Sequence, residues 1–386
     1  MKPFFSISFF YSFIFAFLWV FIAPAFASAF EYSSIADSTV IGANFGAPTG
    51  MGAHFSPPLR KPGIAIETAI FIKNLEISGL SDEGIEGETF IQSLVPARLF
   101  YQANERTRIE IGALLGHLFG EEEEIDTAAP LARIVYEPGS GLSLVAGTLF
   151  PTHPIHDAMI DDIRKFGTND ATMTFHSQVE QGFQFRADRE RFKQDLWINW
   201  KVREERKRRE AFEAASVSIL KFFDEALWTT LQVRTVHIGG QNNALDQGVD
   251  ENLSLAAGLS WGIKQPFGRS RISDLRLRAD YLSSSDSTRL QSSESGEGVE
   301  VGLAAELPLN ETVKLLLHGS HYSGSGFYAM EGDPLYQLDN YSQFGVTSLF
   351  TLDREFTIET GATGQITGDA FNFSMMVTFL WGHGFF

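Results

Sequence analysis

The residues of this chain that could do chemistry are histidines that lie beside serines. His176 precedes Ser177 directly, and a second set runs from His318 to Ser320. A histidine beside a serine or an aspartate can act as a general base for acyl transfer if a third group orients the imidazole. Neither set has a convincing third member, so the sequence predicts no enzyme.

A second possible chemistry is metal binding by the run His153-Pro154-Ile155-His156-Asp157. Two imidazoles and a carboxylate are suitable ligands for a divalent cation. Pro154 denies the two histidines helical spacing, however. We therefore predict no metal and no cofactor.

The composition excludes several other functions. The 386 residues include 30 Lys plus Arg against 48 Asp plus Glu, a formal net charge of -18, which argues against a basic surface for nucleic acid. The absence of cysteine removes disulfides, thiolate zinc sites and thiol nucleophiles. A content of 44% hydrophobic and 13% aromatic residues with 35 glycines is unusual for a water-soluble domain.

The first segment has the pattern of a secretory signal peptide. Lys2 is followed by an apolar run from Phe4 to Ile22 and by the small residues Ala27, Ser28 and Ala29. We predict cleavage after Ala29 and an exported protein, with an uncleaved membrane helix as the alternative. Residues 30–62 lack clear alternation and are interpreted as an N-terminal lead-in or partial plug.

Any functional group in the rest of the chain is positioned by segments with a period of two. Near the C-terminus, for example, apolar residues from Phe371 to Trp381 alternate with mostly more polar ones. The segments approach the ~9–11 residues of a tilted transmembrane strand. We predict an all-β fold, a transmembrane antiparallel β-barrel over residues 63–386 with about 16 strands and a range of about 12–18. The predicted strands lie near 64–73, 93–102, 106–117, 130–137, 141–149, 171–186, 190–202, 212–222, 226–238, 252–263, 272–282, 297–306, 312–321, 340–350, 355–363 and 371–381.

The connections between these segments alternate between long, polar loops and tight turns. Residues 150–170 and 322–339 are examples of the first kind, and 103–105 and 351–354 of the second. Bacterial outer-membrane barrels have short periplasmic turns and long external loops. Closure is also required, because an open sheet edge in hydrocarbon would leave unpaired N–H and C=O groups.

With these features the chain resembles the outer-membrane β-barrel proteins of Gram-negative bacteria, and among them the sixteen-stranded porins. The resemblance implies an outer-membrane location, contact with lipid and lipopolysaccharide, and a possible homotrimer. It also implies that Phe386 is read by the barrel-assembly machinery. The apolar row of the last segment is in phase with Phe385 rather than Phe386, and a bulge at Gly382 and Gly384 could restore the phase.

Alternation also predicts which charged residues face the lumen. In the porins that the chain resembles, the third external loop narrows the pore, and here that loop would present acids to a wall of arginines. The alternative is that the inward charges pair across neighbouring strands and stiffen the wall. The candidate pore-lining and constriction residues are Arg98, Arg108, Arg133, Asp157, Asp161, Asp162, Arg186, Arg234, Arg276 and Arg278.

The function predicted from this lumen is a porin-like channel for passive diffusion of small polar solutes or ions. An export pore for an anionic exopolysaccharide is the alternative, favoured by the inward bases and disfavoured by equally many inward acids. A barrel enzyme that modifies lipids would need an oriented histidine on the lipid-facing rim. A soluble periplasmic β-protein also remains open, because its strands would alternate too.

Overall fold

The computed structural model describes most of the chain from residue 62 onward. The described residues are 62–77, 85, 87–120, 127–139, 141–150, 155–161, 179–205, 209–223, 226–239, 249–266, 271–287, 294–352, 356–368 and 370–385. The predicted signal peptide, almost all of the segment 30–62, and Phe386 lie outside these ranges. No helix among the described residues is long and apolar enough to cross a membrane.

The described residues form sixteen strands, as the alternation predicted. The β-branched and aromatic residues of the apolar rows favour extended backbone and pack well on a pleated surface. The strands are β1 Gly63–Glu76, β2 Glu88–Asn104, β3 Thr107–Leu118, β4 Thr127–Gly139, β5 Leu142–Thr148, β6 Gln181–Arg189, β7 Phe192–Val202, β8 Glu210–Phe222, β9 Leu227–Gly239, β10 Asp250–Lys264, β11 Asp274–Asp286, β12 Glu294–Pro308, β13 Val313–Ser325, β14 Asn340–Thr351, β15 Phe356–Thr367 and β16 Ala370–Phe385. A short 3₁₀ helix, Pro334–Gln337, lies between β13 and β14.

The sheet closes on itself. Each strand pairs with its sequence neighbours, and β1 pairs antiparallel with β16 from Ile64 opposite Phe385 to Glu76 opposite Phe373. This pairing continues through Gly382 and Gly384 without a register shift, so the bulge considered there is not formed. The closed ladder satisfies the backbone groups that hydrocarbon could not.

The outer face of the barrel is apolar. On β16 the side chains of Phe371, Met375 and Trp381 are 56%, 46% and 38% exposed, and on β12 Val299 and Val301 are likewise exposed. The polar and charged residues that alternate with such residues point into the lumen. The apolar face of each strand therefore faces lipid, as predicted. This excludes the alternative of a soluble periplasmic β-protein.

The sixth strand differs from its predicted range of 171–186. It begins at Gln181, which is opposite Thr148, the last residue of β5. Because β5 has only seven residues, the ladder available to β6 ends there. Residues 171–178 lie outside the described residues.

The two rims differ as expected. On one rim the strands are joined by residues 77–87, 119–126, 149–180, 203–209, 240–249, 287–293 and 326–339, and on the other by 105–106, 140–141, 190–191, 223–226, 265–273, 309–312 and 352–355. The link 368–369 is short although it belongs to the first rim. The long-loop rim is the external one by the rule for bacterial barrels.

Candidate functional site

Two connecting segments enter the lumen and meet there, residues 155–161 after β5 and residues 327–338 before β14. The backbone N–H of His156 donates to Gln232 Oε1 on β9 at 2.7 Å. The second segment is held by Asn252 on β10, whose Oδ1 accepts from the N–H of Met330 at 3.0 Å. A Cβ on Gly332 would lie 2.1 Å from the carbonyl oxygen of Ala158, so glycine is required for this approach.

Arg234 on β9 fastens both segments to the wall. Its guanidinium donates to the carbonyl oxygens of Met159, at 2.9 Å, and of Met330. It also pairs with Glu213 on β8, at 2.8 Å, and with Glu331. The second cation of this network is Lys201, which lies 2.7 Å from Glu331 Oε2 and 3.1 Å from Glu213 Oε2. The two cations and two carboxylates balance, and each side chain is at most 2% exposed.

Aromatic residues pack beneath the second segment. The ring of Tyr336 lies 5.0 Å from that of Tyr322 on β13 and 5.4 Å from that of Tyr341 on β14. Its hydroxyl donates to Glu300 Oε2 on β12 at 2.9 Å. Burial raises the pKa of Tyr336 well above its ordinary value, so this hydroxyl stays protonated and continues to donate.

His156, Asp280 and Glu300 form a group with metal-ligating side chains, whose ligand atoms lie within 4.8 Å of one another. The imidazole orientation does not suit a metal. Its Nδ1 accepts from the N–H of Ala158 at 3.1 Å, which leaves the proton of a neutral ring on Nε2, the nitrogen 3.2 Å from Glu300 Oε2. A ligating histidine has the opposite arrangement, in which the non-ligating nitrogen donates. We therefore assign this group to a polar contact between His156 of the first segment and Glu300 of the wall. Of the sequence run considered for metal binding, His153 lies outside the described residues.

The seven arginines proposed for the pore wall all lie on inward strand positions. Three of them converge on one carboxylate: Glu110 lies 2.6 Å from Arg133, 2.7 Å from Arg108 and 3.5 Å from Arg98. Arg98 also pairs with Glu67 at 2.6 Å. This arrangement is the cross-strand pairing considered as the alternative.

The remaining arginines proposed for the pore wall also contact neighbouring side chains. Arg186 lies over the ring of Phe150, and Arg276 and Arg278 pair with Asp274 and Asp280, their neighbours two positions away on β11.

The acids proposed for the constriction belong to the first lumen segment. Asp161 lies 3.6 Å from Lys73 near the external end of β1, and the backbone carbonyl of Asp157 accepts from the N–H of Asp333 at 2.9 Å. Asp162 lies outside the described residues. The arginine group around Glu110 is near the short-turn end of β3, so its height in the barrel differs from that of the Lys73 pair. A constriction between these acids and arginines stays a prediction.

Asp333 in the second lumen segment makes stability depend on pH. Burial raises its pKa from 3.8 to about 6, Lys73 acts in the opposite direction, and Asp161 and Asp157 add to the rise. Since the folded pKa exceeds the unfolded one, the stabilising contribution is complete below pH ~4 and is lost as pH rises through about 6.

We expect Asp333→Asn, which keeps the oxygen that accepts from Leu335 N–H, to raise the free energy of unfolding by about 2 kcal/mol at pH 8 and to leave it unchanged at pH 4. Urea unfolding at both pH values checks this, with Asp188, an exposed residue near the end of β6, changed to Asn as the control. An equal gain at both pH values would show that ionisation of Asp333 is not the cause.

The lipid-facing side of β13 carries a histidine at its external end. Leu315 and Leu317 lie outward on this strand, and His321 has the same parity. Its Nδ1 lies 2.9 Å from Ser342 Oγ on β14, its direct cross-strand partner. Ser323 lies on the same face, about 7 Å further along the strand between Cα atoms. An oriented histidine and two hydroxyls are thus exposed next to the long external connection 326–339.

The neighbouring histidine and serine, which were the candidates from the sequence, lie on the other face of β13. His318 and Ser320 have the inward parity of β13, and Ser320 Oγ accepts from Gln343 Nε2 at 3.0 Å. His176 and Ser177 lie outside the described residues. The alternation along β13 could have identified His321. The outward apolar residues of this strand have odd numbers, as His321 has, whereas His318 has an even number and faces the lumen.

Fold and site together define an outer-membrane β-barrel protein of a Gram-negative bacterium. The chain belongs to the family described as Lipid A 3'-O-deacylase-type, whose model matches residues 60–381. A comparison with curated protein sequences gives no match.

Solved porin structures are similar in fold. The anion-selective porin from Comamonas acidovorans has 8% identity, coverage of 84% of this chain and 100% of that chain, and a TM-score of 0.51. The Salmonella typhi OmpF complex with daunomycin has 10% identity, coverage of 84% and 98%, and a TM-score of 0.49. At such identity the Comamonas porin shows the fold alone.

The expectation that the protein is not an enzyme is wrong, because the family to which it belongs is a family of deacylases. The physical reason for the error lies in the search for a catalytic group. His176 and His318 offered no third member, and a contact between neighbouring strands, such as that of His321 with Ser342, 21 residues away, cannot be recognised from local spacing.

Proposed function

We propose that the protein is an ester hydrolase that removes an acyl chain from lipid A, with His321 as general base and Ser323 as nucleophile. Ser342 is the positioning residue that holds the imidazole. The single observation that carries this proposal is the bond between His321 Nδ1 and Ser342 Oγ on the lipid-facing surface. Family membership supports the substrate class.

The place of the pair suits a lipid substrate. His321 and Ser323 are exposed near the external end of β13, where the apolar outer face meets the long-loop rim. Lipid A belongs to the outer leaflet, so its ester groups lie near this depth. The apolar residues Leu317 and Val301 beside the pair would contact the acyl chains.

Ser342 and Ser323 have different proposed roles, because each would interact with a different nitrogen of the His321 ring. In Ser–His–acid triads, Nδ1 bonds to the orienting group and Nε2 faces the nucleophile. Here Ser342 Oγ lies at Nδ1, and in the proposed tautomer it accepts the Nδ1–H and leaves Nε2 unprotonated. Nε2 is then available to the hydroxyl of Ser323, which lies two residues along the same face.

The reaction proceeds by acyl transfer in two steps. Nε2 of His321 takes the hydroxyl proton as Ser323 Oγ attacks the ester carbonyl, and the proton is returned to the departing sugar oxygen. Water, deprotonated by the same nitrogen, then cleaves the acyl-serine. The products are a free fatty acid and lipid A with one hydroxyl in place of an ester.

Mass spectrometry of lipid A tests the proposal. The folded barrel, mixed with lipid A in detergent, should release one acyl chain per molecule, and His321→Ala should release none above background. Intact lipid A after incubation with a correctly folded wild-type barrel would refute the proposed function.

Passive diffusion of small polar solutes is a second proposal, favoured by the charged inward rows of β2, β3 and β4. Arg98, Arg108, Arg133, Glu67 and Glu110 line one side of the lumen near the short-turn rim. Such a lining supports ion entry. We expect unitary conductance steps in planar bilayers, and bilayers that remain silent after verified insertion would refute the pore. The two proposals are independent, because the hydrolase site is on the outer surface.

A further inference from the structure

A patch of inward residues at the short-turn end of β8 to β11 is built from nitrogen donors around a tryptophan. Trp228 on β9 lies opposite Lys221 on β8 and opposite Ser260 on β10. The guanidinium carbon of Arg276 on β11 lies 4.0 Å from the indole centroid, and Lys221 Nζ lies 5.1 Å from it. We call these four residues the Trp228 patch.

Several polar atoms of the Trp228 patch are buried and have no hydrogen-bond partner among the described residues. They are Nε and Nη1 of Arg276, Nε1 of Trp228 and Oγ of Ser260. The three residues are only 4%, 8% and 7% exposed. A buried donor left without a partner costs about 1–3 kcal/mol, so four in one place call for an occupant.

The chemistry of these atoms defines the occupant. Guanidinium and indole nitrogens can only donate, and a hydroxyl can donate as well, so the occupant must present acceptors. Arg276 and Lys221 are both cations, and Arg276 donates to Asp274 Oδ2 through Nη2 alone, at 2.9 Å, which leaves its Nε and Nη1 for an acceptor. An acceptor group with negative charge satisfies both conditions.

The backbone leaves room for the guanidinium. A Cβ on Gly262, the cross-strand partner of Arg276, would lie 2.8 Å from the guanidinium carbon. Glycine at this position therefore lets the Arg276 head group lie against β10 beside the indole. A larger residue would force it away from Trp228.

We propose that Lys221, Trp228, Ser260 and Arg276 form a binding site for an oxyanion at the short-turn mouth of the lumen. The oxyanion is a phosphate or carboxylate group of a periplasmic solute. This site is separate from the lipid-facing residues His321 and Ser323, because it lies inside the barrel and at the opposite rim.

Titration of the full-length folded barrel with inorganic phosphate, followed by calorimetry at constant ionic strength, tests this site. We expect saturable binding that Arg276→Gln weakens by at least about tenfold, since charge-assisted hydrogen bonds are lost. Trp228→Phe keeps a ring but removes the N–H donor, and should weaken binding about three- to tenfold. Lys314→Gln removes an inward base at the same rim on β13 and should leave the affinity unchanged.

A second titration with acetate separates the two sources of the anion. Binding of either phosphate or acetate with the expected order of variants supports the site. Absence of saturable binding of both, or equal affinity in all four proteins, overturns it. Folding of each variant is checked by its heat-modifiable mobility on gels, and Ser323→Ala should bind as wild type whether or not the hydrolase proposal holds.

Discussion

Ser323→Ala should lower the rate of lipid A deacylation by at least about 1,000-fold, because it removes the hydroxyl that forms the acyl intermediate. The substitution deletes one exposed oxygen on the outer face of β13 and leaves the ladder with β12 and β14 intact. Stability should therefore change by less than about 0.5 kcal/mol. The measurement is the initial rate of fatty-acid release, with the unfolding midpoint recorded in parallel.

Ser342→Ala should have a smaller and different effect. It removes the group that fixes the imidazole but keeps the base and the nucleophile, so we expect a loss of about 10- to 100-fold. Ser342→Thr keeps a hydroxyl and should restore most of the rate. A change in the acid limb of the pH–rate profile in Ser342→Ala, but not in Ser342→Thr, would mark a positioning role that a simple packing defect would not produce.

Ser348→Ala is the matched control for both serines. Ser348 shares the outward face of β14 with Ser342 but lies toward the short-turn rim, away from His321. Its substitution should leave deacylation unchanged. Full activity in Ser323→Ala together with loss in Ser342→Ala would exchange the two roles, and full activity in His321→Ala would refute the site as a whole.

The barrel itself follows from local sequence rules. Phe371 to Trp381 could be assigned to a strand because a period of two leaves one face apolar, and closure follows because hydrocarbon tolerates no open edge. The ends of the strands were harder to predict from the sequence. β13 extends to Ser325, four residues beyond the predicted 321, because small polar residues at its end carry no alternating hydrophobic signal.

The site depends on contacts that local patterns do not contain. Parity places His321 outward, but its bond to Ser342 is set by the register between β13 and β14 across a 14-residue connection. The partners of the inward charged residues were equally hard to predict from local patterns. Arg98 and Arg133 could be placed in the lumen by alternation, but their shared partner Glu110 emerges only when three strands are aligned.

Arg234→Met should be the most destabilising single change in the lumen, at about 3–5 kcal/mol. The substitution removes one of the two cations, Arg234 and Lys201, that pair with the buried Glu213 and Glu331, and breaking a buried pair on one side costs this much. It also removes the donor that satisfies the carbonyl oxygens of Met159 and Met330. Both lumen segments should loosen together, because one guanidinium holds them both.

Hydrogen exchange distinguishes loss of the Arg234 contacts to the two lumen segments from a general loss of stability. In Arg234→Met, amide protection should fall in residues 155–161 and 327–338 before it falls in β1 or β16, whose pairing does not involve Arg234. Arg108→Met is the control: it removes an inward arginine, but Glu110 keeps Arg98 and Arg133, so the cost should stay below about 1 kcal/mol. Loss of protection in only one of the two segments would mean that Arg234 does not couple them, since a shared donor cannot release one carbonyl partner and keep the other.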